Sequence, residues 1–271
     1  MTVDLTRCAS RAPLLVPLML GLALSSASAH ADWWGDDCDE ETRLEREVDL
    51  AGIRTVAIEA GAGSLEVVGR AGIDQLELVG FACARTQALL REVSLRVERR
   101  GDTLLVETVL PRQRDDNARL SLEVELPPHL ALRIRDSSGS LEVRDVATLE
   151  LTDSSGSITI SEVPGEVYIV ADSSGSIDIA DVGSVRIDQD SSGSIDVVRA
   201  ASVHIERDSS GSISARDVVG DVYVGSDTSG SIDVNDVGGN FTVRRDTSGG
   251  VRHRNVAGVV QIDGERGGSR R

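Results

Sequence analysis

The chain has 271 residues, of which 40% are hydrophobic and only 2% aromatic, and its 45 acidic and 28 basic residues give a net charge of −17. A surface this acidic repels the phosphate backbones of nucleic acids and the head groups of anionic lipids, so neither is expected as a partner. Every basic residue is an arginine, which excludes covalent chemistry that depends on a lysine amine.

Residues 1–31 have the pattern of a secretory signal peptide. Arg7 and Arg11 precede an apolar run from Leu14 to Leu24, which is too short to span a bilayer, and small residues at Ala29 and Ala31 suit cleavage after Ala31. An uncleaved anchor is the alternative. We predict an exported protein, periplasmic or extracellular, that keeps no transmembrane anchor after processing and comes from a Gram-negative bacterium.

Two cysteines remain after that cleavage. Cys38 lies in an acidic N-terminal segment, residues 32–43, and Cys83 lies in the segment that follows. In an oxidising compartment an even pair of cysteines indicates a disulfide, although two free thiols are the competing interpretation. We predict a structural Cys38–Cys83 bridge.

Residues 44–135 are rich in alternating apolar residues but lack a strict period. Residues 56–67 resemble a degenerate repeat, in which Gly61-Ala-Gly-Ser occupies the place of a turn that recurs further along the chain. We predict that this region is the irregular N-terminal end of a solenoid, with wider coils that close its edge.

Residues 136–262 contain seven copies of one turn, Asp-Ser/Thr-Ser-Gly, separated by 17 to 19 residues. A period this short with constant turn chemistry is the signature of a repeat protein whose coils stack on their neighbours. In the first six copies aliphatic residues at positions six, eight and eleven, and two more on a second strand, have the spacing of inward-facing strand residues. The predicted fold is all-β, a parallel β-solenoid (β-helix) with coils of about 18 residues, followed by a polar tail at 263–271.

The first and fourth residues of each turn are the predicted structural turn residues. Glycine at position four permits a positive φ, and the aspartate can accept hydrogen bonds from nearby backbone N–H groups. Stacked aspartates about 4.8 Å apart repel each other, so turn N–H groups, serine hydroxyls or bound cations must offset the repulsion. The residues are Asp136, Gly139, Asp153, Gly156, Asp172, Gly175, Asp190, Gly193, Asp208, Gly211, Asp227, Gly230, Asp246 and Gly249.

No catalytic, cofactor-binding or metal site is expected. The sequence contains no Gly-x-Ser-x-Gly elbow, phosphate-binding loop or His-Glu-x-x-His motif, and the repeats carry no long insertion that could wall a cleft. Tyr168 and Tyr223 lie three coils apart on the outward face of the second strand, which favours a solvated surface over a carbohydrate platform.

The leader, the degenerate first repeat, the segment Leu122-Glu-Val-Glu-Leu-Pro-Pro and the Asp-x-Ser-Gly-x-Ile/Leu repeats together resemble the bacterial "putative adhesin" family. The resemblance covers residues 44–262 and implies an exported β-strand-repeat protein of unknown function with no catalytic residues. We therefore predict a non-enzymatic adhesin-like, scaffolding or spacer module with cell-surface or envelope components as partners. A polysaccharide-active β-helix enzyme and a cation- or ice-binding array are the alternatives.

Overall fold

The computed structural model describes residues 38–111 and 118–263. The predicted signal peptide, the start of the acidic segment and residues 264–271 of the polar tail lie outside the described residues. The described part is almost entirely β-structure, with a single-turn helix, α1 (Gln87–Leu90), that Thr86 caps by accepting the Leu89 N–H. Its strands are β1 Glu40–Asp49, β2 Thr55–Glu59, β3 Leu65–Gly69, β4 Gln75–Ala84, β5 Ser94–Arg100, β6 Thr103–Val109, β7 Arg119–Leu126, β8 Ala131–Arg135, β9 Leu141–Arg144, β10 Thr148–Thr152, β11 Ile158–Ala171, β12 Ile177–Ile187, β13 Gly193–Asp208, β14 Gly211–Val218, β15 Val222–Asp227, β16 Gly230–Val237, β17 Phe241–Val243, β18 Gly249–Val256 and β19 Val260–Ile262.

The repeats form a parallel β-solenoid of about seven turns with coils of about 19 residues, which confirms the predicted fold class. Equivalent residues lie beside each other in successive coils: Ile158, Ile177 and Ile195, for example, are consecutive partners. The side chains at positions six and eight and on the second strand are buried from Leu141 to Val243. Like side chains therefore stack along one continuous core, in which the β-branched residues of the repeat pack well.

Each coil turns its corner at position ten through a residue in the left-handed region, with φ between 52° and 58°. Aspartate and asparagine tolerate this conformation better than most residues, and they fill five of the seven positions. Arg199 is an exception whose guanidinium donates two hydrogen bonds of 2.6 Å to Asp181 in the preceding coil. The seven residues are Asp145, Glu162, Asp181, Arg199, Asp217, Asp236 and Asn255.

The first coils do not stack in chain order. The coil of β2 and β3 lies between the coil of β6 and β7 on one side and the coil of β8 and β9 on the other, with parallel pairing throughout. The degenerate repeat thus lies directly against the first aspartate repeat, and Leu65 is the partner of Leu141. From β8 onward the coils follow the sequence.

Antiparallel strands cover the N-terminal edge of the solenoid. β4 pairs antiparallel with β7, β1 pairs antiparallel with β4, and on the other face β5 pairs antiparallel with β6. Cys38 and Cys83 form the disulfide that the sequence predicts, which joins the residues just before β1 to β4 and closes a loop with a sequence separation of 45. The edge is therefore closed by added strands rather than by wider coils.

At the other end, the last described coil is formed by β18 and β19, which pair with β16 and β17. Its inward residues Val251, Val256, Val260 and Ile262 are only partly buried, because no further described strand packs over them. In the described ranges there is no helix long and apolar enough to span a membrane.

Candidate functional site

The repeated aspartates form a buried column inside the corner of the solenoid. We call this set the aspartate column; its members expose between 1% and 7% of their surface, so they are as buried as the neighbouring aliphatic residues. Asp172, Asp190 and Asp208 are consecutive bridge partners in successive coils. The sequence identifies them as turn residues, and the structure shows in addition that their side chains belong to the interior. The members are Asp136, Asp153, Asp172, Asp190, Asp208, Asp227 and Asp246.

Backbone groups satisfy only part of this column. Asp136 Oδ1 accepts the Ser137 N–H at 2.8 Å, and Asp153 Oδ1 accepts the Ser154 N–H at 2.7 Å. Neither carboxyl oxygen of Asp172, Asp190 or Asp227 has a hydrogen bond of good geometry within the described residues, although the N–H groups of the next two turn residues lie near enough to favour the charged form. A buried oxygen without a partner is costly, and the cost is larger when the group is charged.

Burial consequently makes these carboxyls weaker acids. It raises the pKa from 3.8 to about 6 for Asp136, Asp172, Asp190, Asp208 and Asp227, and the charge of a neighbouring aspartate adds to the increase. The turn N–H groups oppose this effect without cancelling it. Among the described residues, the charged side chains that act on these five carboxyls are other members of the column.

The serine and the glycine of the turn join adjacent coils. The position-three serine donates its hydroxyl to a carbonyl of the preceding coil: Ser192 Oγ contacts Ser173 O at 3.1 Å, and Ser210 Oγ contacts Ser191 O at 3.1 Å. Gly193 has φ 134°, and a Cβ built on it would lie 1.5 Å from the carbonyl oxygen of Gly175. Glycine is therefore required both by its backbone conformation and by the close approach of the neighbouring coil.

The column does not have the geometry of a metal centre. No group of three or more His, Cys, Asp or Glu side chains in the described part of the chain could hold a metal ion. Calcium takes six to eight oxygen ligands, whereas the column offers two carboxyls per step inside a wall of aliphatic side chains. The arrangement is better suited to holding protons than cations, because a protonated carboxyl can donate a hydrogen bond to the oxygen of the next one.

A second feature lies on the outer surface of the second strands. Tyr168, Arg186, His204 and Tyr223 are consecutive partners in four coils and make up what we call the aromatic ladder. The Arg186 guanidinium lies 5.5 Å from the centre of the Tyr168 ring, and the His204 and Tyr223 rings stack at 4.5 Å with an interplanar angle of 18°.

Acidic residues in the adjacent outward column hold the ladder in place. Tyr168 donates its hydroxyl to Asp188 at 2.5 Å, which raises the pKa of the tyrosine and lowers that of the aspartate. Arg186 pairs with Asp188 at 2.7 Å, and His204 lies 3.2 Å from Glu206. The sequence places Arg186 and His204 in the same outward column as the two tyrosines, but it does not show the ring and guanidinium contacts that join them.

Neighbouring side chains cover one face of each tyrosine ring in the ladder. One face of the Tyr223 ring is covered by His204, and one face of the Tyr168 ring is covered by Arg186. Sugar binding by stacking requires an open ring face, so the side of each ring that its neighbour covers cannot serve. What the ladder offers is a half-buried strip of ring edges and polar groups along several coils.

The outer surface of the first strands is acidic over most of its length. Asp178 and Asp196 are partners there, and Arg216 on the next coil pairs with Asp196 at 2.9 Å. Near the N-terminal end, a depression of about 280 Å³ is lined by Glu59, Arg100, Arg133 and Arg135, among others. Two of these arginines face glutamates, Arg133 at 3.3 Å from Glu150 and Arg135 at 3.9 Å from Glu59, so the depression is not a free anion site.

These features define a β-solenoid whose repeated polar residues serve the stacking of the coils. No protein-family model matches the chain, and no curated protein matches it by sequence.

Several solved structures are similar to it at low identity. They include a putative cell adhesion protein from Clostridium sporogenes (12% identity, 83% of this chain and 100% of that chain, TM-score 0.31). A putative lipid binding protein from Parabacteroides distasonis has 14% identity, coverage of 83% and 98%, and a TM-score of 0.44. A putative adhesin from Bacteroides fragilis has 13% identity, coverage of 83% and 98%, and a TM-score of 0.34.

Proposed function

We propose that the protein is a non-catalytic, exported rod that acts as an adhesive or scaffolding module of the cell envelope. The observation that carries the proposal is the residue-for-residue stacking of the coils. From β11 to β13 equivalent residues of successive coils are partners, with one register shift between Val163 and Glu166. A rod of this kind presents long, flat outer surfaces, which suit contact with an extended partner.

The polar residues that recur from coil to coil also stabilise the stacking of the coils. The aspartates are buried, the position-three serines join coils, and the glycines permit their close approach. An enzyme instead places unlike groups together in a cleft, where they reach one substrate atom. We therefore expect a partner to bind the outer surfaces. The aromatic ladder is the first candidate, because it combines tyrosine, arginine and histidine side chains along several coils.

The experiment is a binding assay with the processed protein displayed on beads and incubated with intact bacterial cells, purified envelope fractions and extracellular polysaccharide. We expect retention of one of these, and we expect His204→Ala/Tyr223→Ala to weaken it. The matched control, Asp178→Asn/Asp196→Asn, changes the other outer surface. Time-dependent release of reducing or unsaturated sugar ends from the polysaccharide, by the processed protein but not by a heat-denatured sample, would refute the non-catalytic assignment.

A further inference from the structure

The outermost strands on one face of the rod, one at each end, carry opposite charge. One sheet runs without interruption from β1 through β4, β7, β3, β9 and the first strands of the repeats to β18, so that β1 and β18 are its outermost described strands. Each has an edge that pairs with no described strand. An open edge is a template for another strand, and natural proteins place charges on it to control what binds.

The C-terminal edge reverses the charge of the repeats. Residues 136–243 contain 20 acidic residues and five arginines, whereas residues 244–262 contain four arginines and one aspartate. Arg252 and Arg254 on β18 continue the outward columns of Asp233 and Asn235 and are exposed. Neither has an ion-pair partner among the described residues, so this edge carries two unbalanced positive charges.

The N-terminal edge is acidic on the corresponding surface. Residues of β1 that lie opposite Leu76 and Leu78 share the inward side of the sheet with those buried leucines, so the alternate residues of β1 point outward. The outward set is exposed and contains four carboxylates and one arginine. Its members are Glu41, Arg43, Glu45, Glu47 and Asp49.

The strand directions also match. β1 is antiparallel to β4 and β4 is antiparallel to β7, so β1 runs in the same direction as the parallel strands of the rod, including β18. A second copy placed end-on along the rod axis would set its β1 beside β18 in parallel, as every coil is set beside the next. The two ends also have apolar residues to bury: Val259 is 68% exposed near β18, and Leu44 and Val48 on β1 are only partly buried.

We propose that the rods associate head to tail, with the β18 edge of one copy paired with the β1 edge of a second copy. The interface joins two different surfaces, so a dimer formed in this way keeps one free end of each kind and can add further copies. Arg252 and Arg254 face the carboxylates of the neighbouring β1, and the apolar residues beneath them become covered. This assembly does not depend on which ligand the outer surfaces bind.

The test is sedimentation velocity of the processed protein over a range of concentrations at low and high salt. We expect species larger than the monomer that grow with concentration and that dissociate as salt screens the contact between the ends. Arg252→Glu/Arg254→Glu and, separately, Glu41→Arg/Glu47→Arg should each weaken association by roughly tenfold or more, since each places like charges together. The control Arg207→Glu/Arg216→Glu changes the net charge equally in the middle of the rod and should leave association unchanged.

An equimolar mixture of the two end variants is the decisive sample. Each variant alone has two ends of one sign, but in the mixture an acidic end always finds a basic one, so association should return. This result cannot arise from misfolding of either variant. A monomeric protein at every concentration, or a mixture that stays monomeric, would overturn the proposal. So would a monomer whose Arg252 and Arg254 instead bind polyglutamate, which would mark the edge as a site for acidic polymers.

Discussion

Replacing one buried carboxyl should make the rod more stable at alkaline pH. Five of the seven carboxyls of the aspartate column have a pKa raised from 3.8 to about 6. The folded protein therefore binds protons that the unfolded chain releases between these two values. The stabilisation is fully present below about pH 4 and is lost as the pH rises through about 6. A shift of about two pH units corresponds to about 3 kcal/mol for each ionised carboxyl.

Asp190→Asn tests this at one position, because the amide has the same shape and does not ionise. Asp190 is 1% exposed, and neither of its carboxyl oxygens makes a well-formed hydrogen bond with the turn N–H groups beside it. We expect the variant to unfold at a higher urea concentration than the parent at pH 8, with a gain of up to about 3 kcal/mol, to keep about half of that gain at pH 5, and to match the parent closely only near pH 3. The dependence of stability on pH should weaken accordingly.

Asp178→Asn is the matched control, since it removes the same charge from an exposed residue on the same type of strand. It reports how much of the effect comes from relief of general repulsion in an acidic protein. If Asp190→Asn stabilises the protein at pH 8 no more than Asp178→Asn does, the buried column is not ionised there at a cost and the reasoning is wrong.

Three further predictions concern the turn, the disulfide and cations. Gly193→Ala should lower the melting temperature strongly because its Cβ would lie 1.5 Å from Gly175 O, whereas Gly250→Ala, with nothing within 4 Å, should change stability by less than about 0.5 kcal/mol; equal melting temperatures would contradict this. Loss of the Cys38–Cys83 bridge in a double serine variant should cost about 4 kcal/mol by urea unfolding, and two alkylatable thiols in the folded, periplasmically expressed protein would show that the bridge is absent. Calcium at millimolar concentration should raise the melting temperature little more than sodium at matched ionic strength, and a calcium-specific rise of more than about 10 °C would point to metal binding.

The repeat architecture could be predicted from the sequence because period and apolar spacing act locally, coil by coil. The burial of the aspartates was not predicted, because a carboxyl is rarely placed in a core without a partner. One signal was available: Ala60 takes the place of Asp136 in the degenerate repeat, as shown by the bridge between Ala62 and Ser138, and an apolar residue there indicates an inward position. The recurrent Asp or Asn at position ten likewise indicated the left-handed corner.

The order of the first coils could not be predicted in the same way. The pairing of β6 with β2 joins residues that are 48 apart in the sequence, Thr55 with Thr103, and β2 then pairs on its other side with β8. Alternating apolar residues show that each segment is a strand but not which neighbour it selects, since the parallel pairs all bury similar aliphatic residues. The contacts of the aromatic ladder could not be predicted for the same reason, because they exist only once the coils are in register.

The unequal ends of the rod have a consequence for the order in which the chain folds. The N-terminal edge is closed by antiparallel strands and locked by the Cys38–Cys83 bridge, whereas each coil from β8 onward needs only the coil before it as a template. We expect the N-terminal coils to form a slow nucleus, since their pairings are the least local, and the repeats then to be added quickly in one direction. A chain truncated after any complete coil should then fold as far as its last coil. A chain that lacks β2 and β3 should not start to fold.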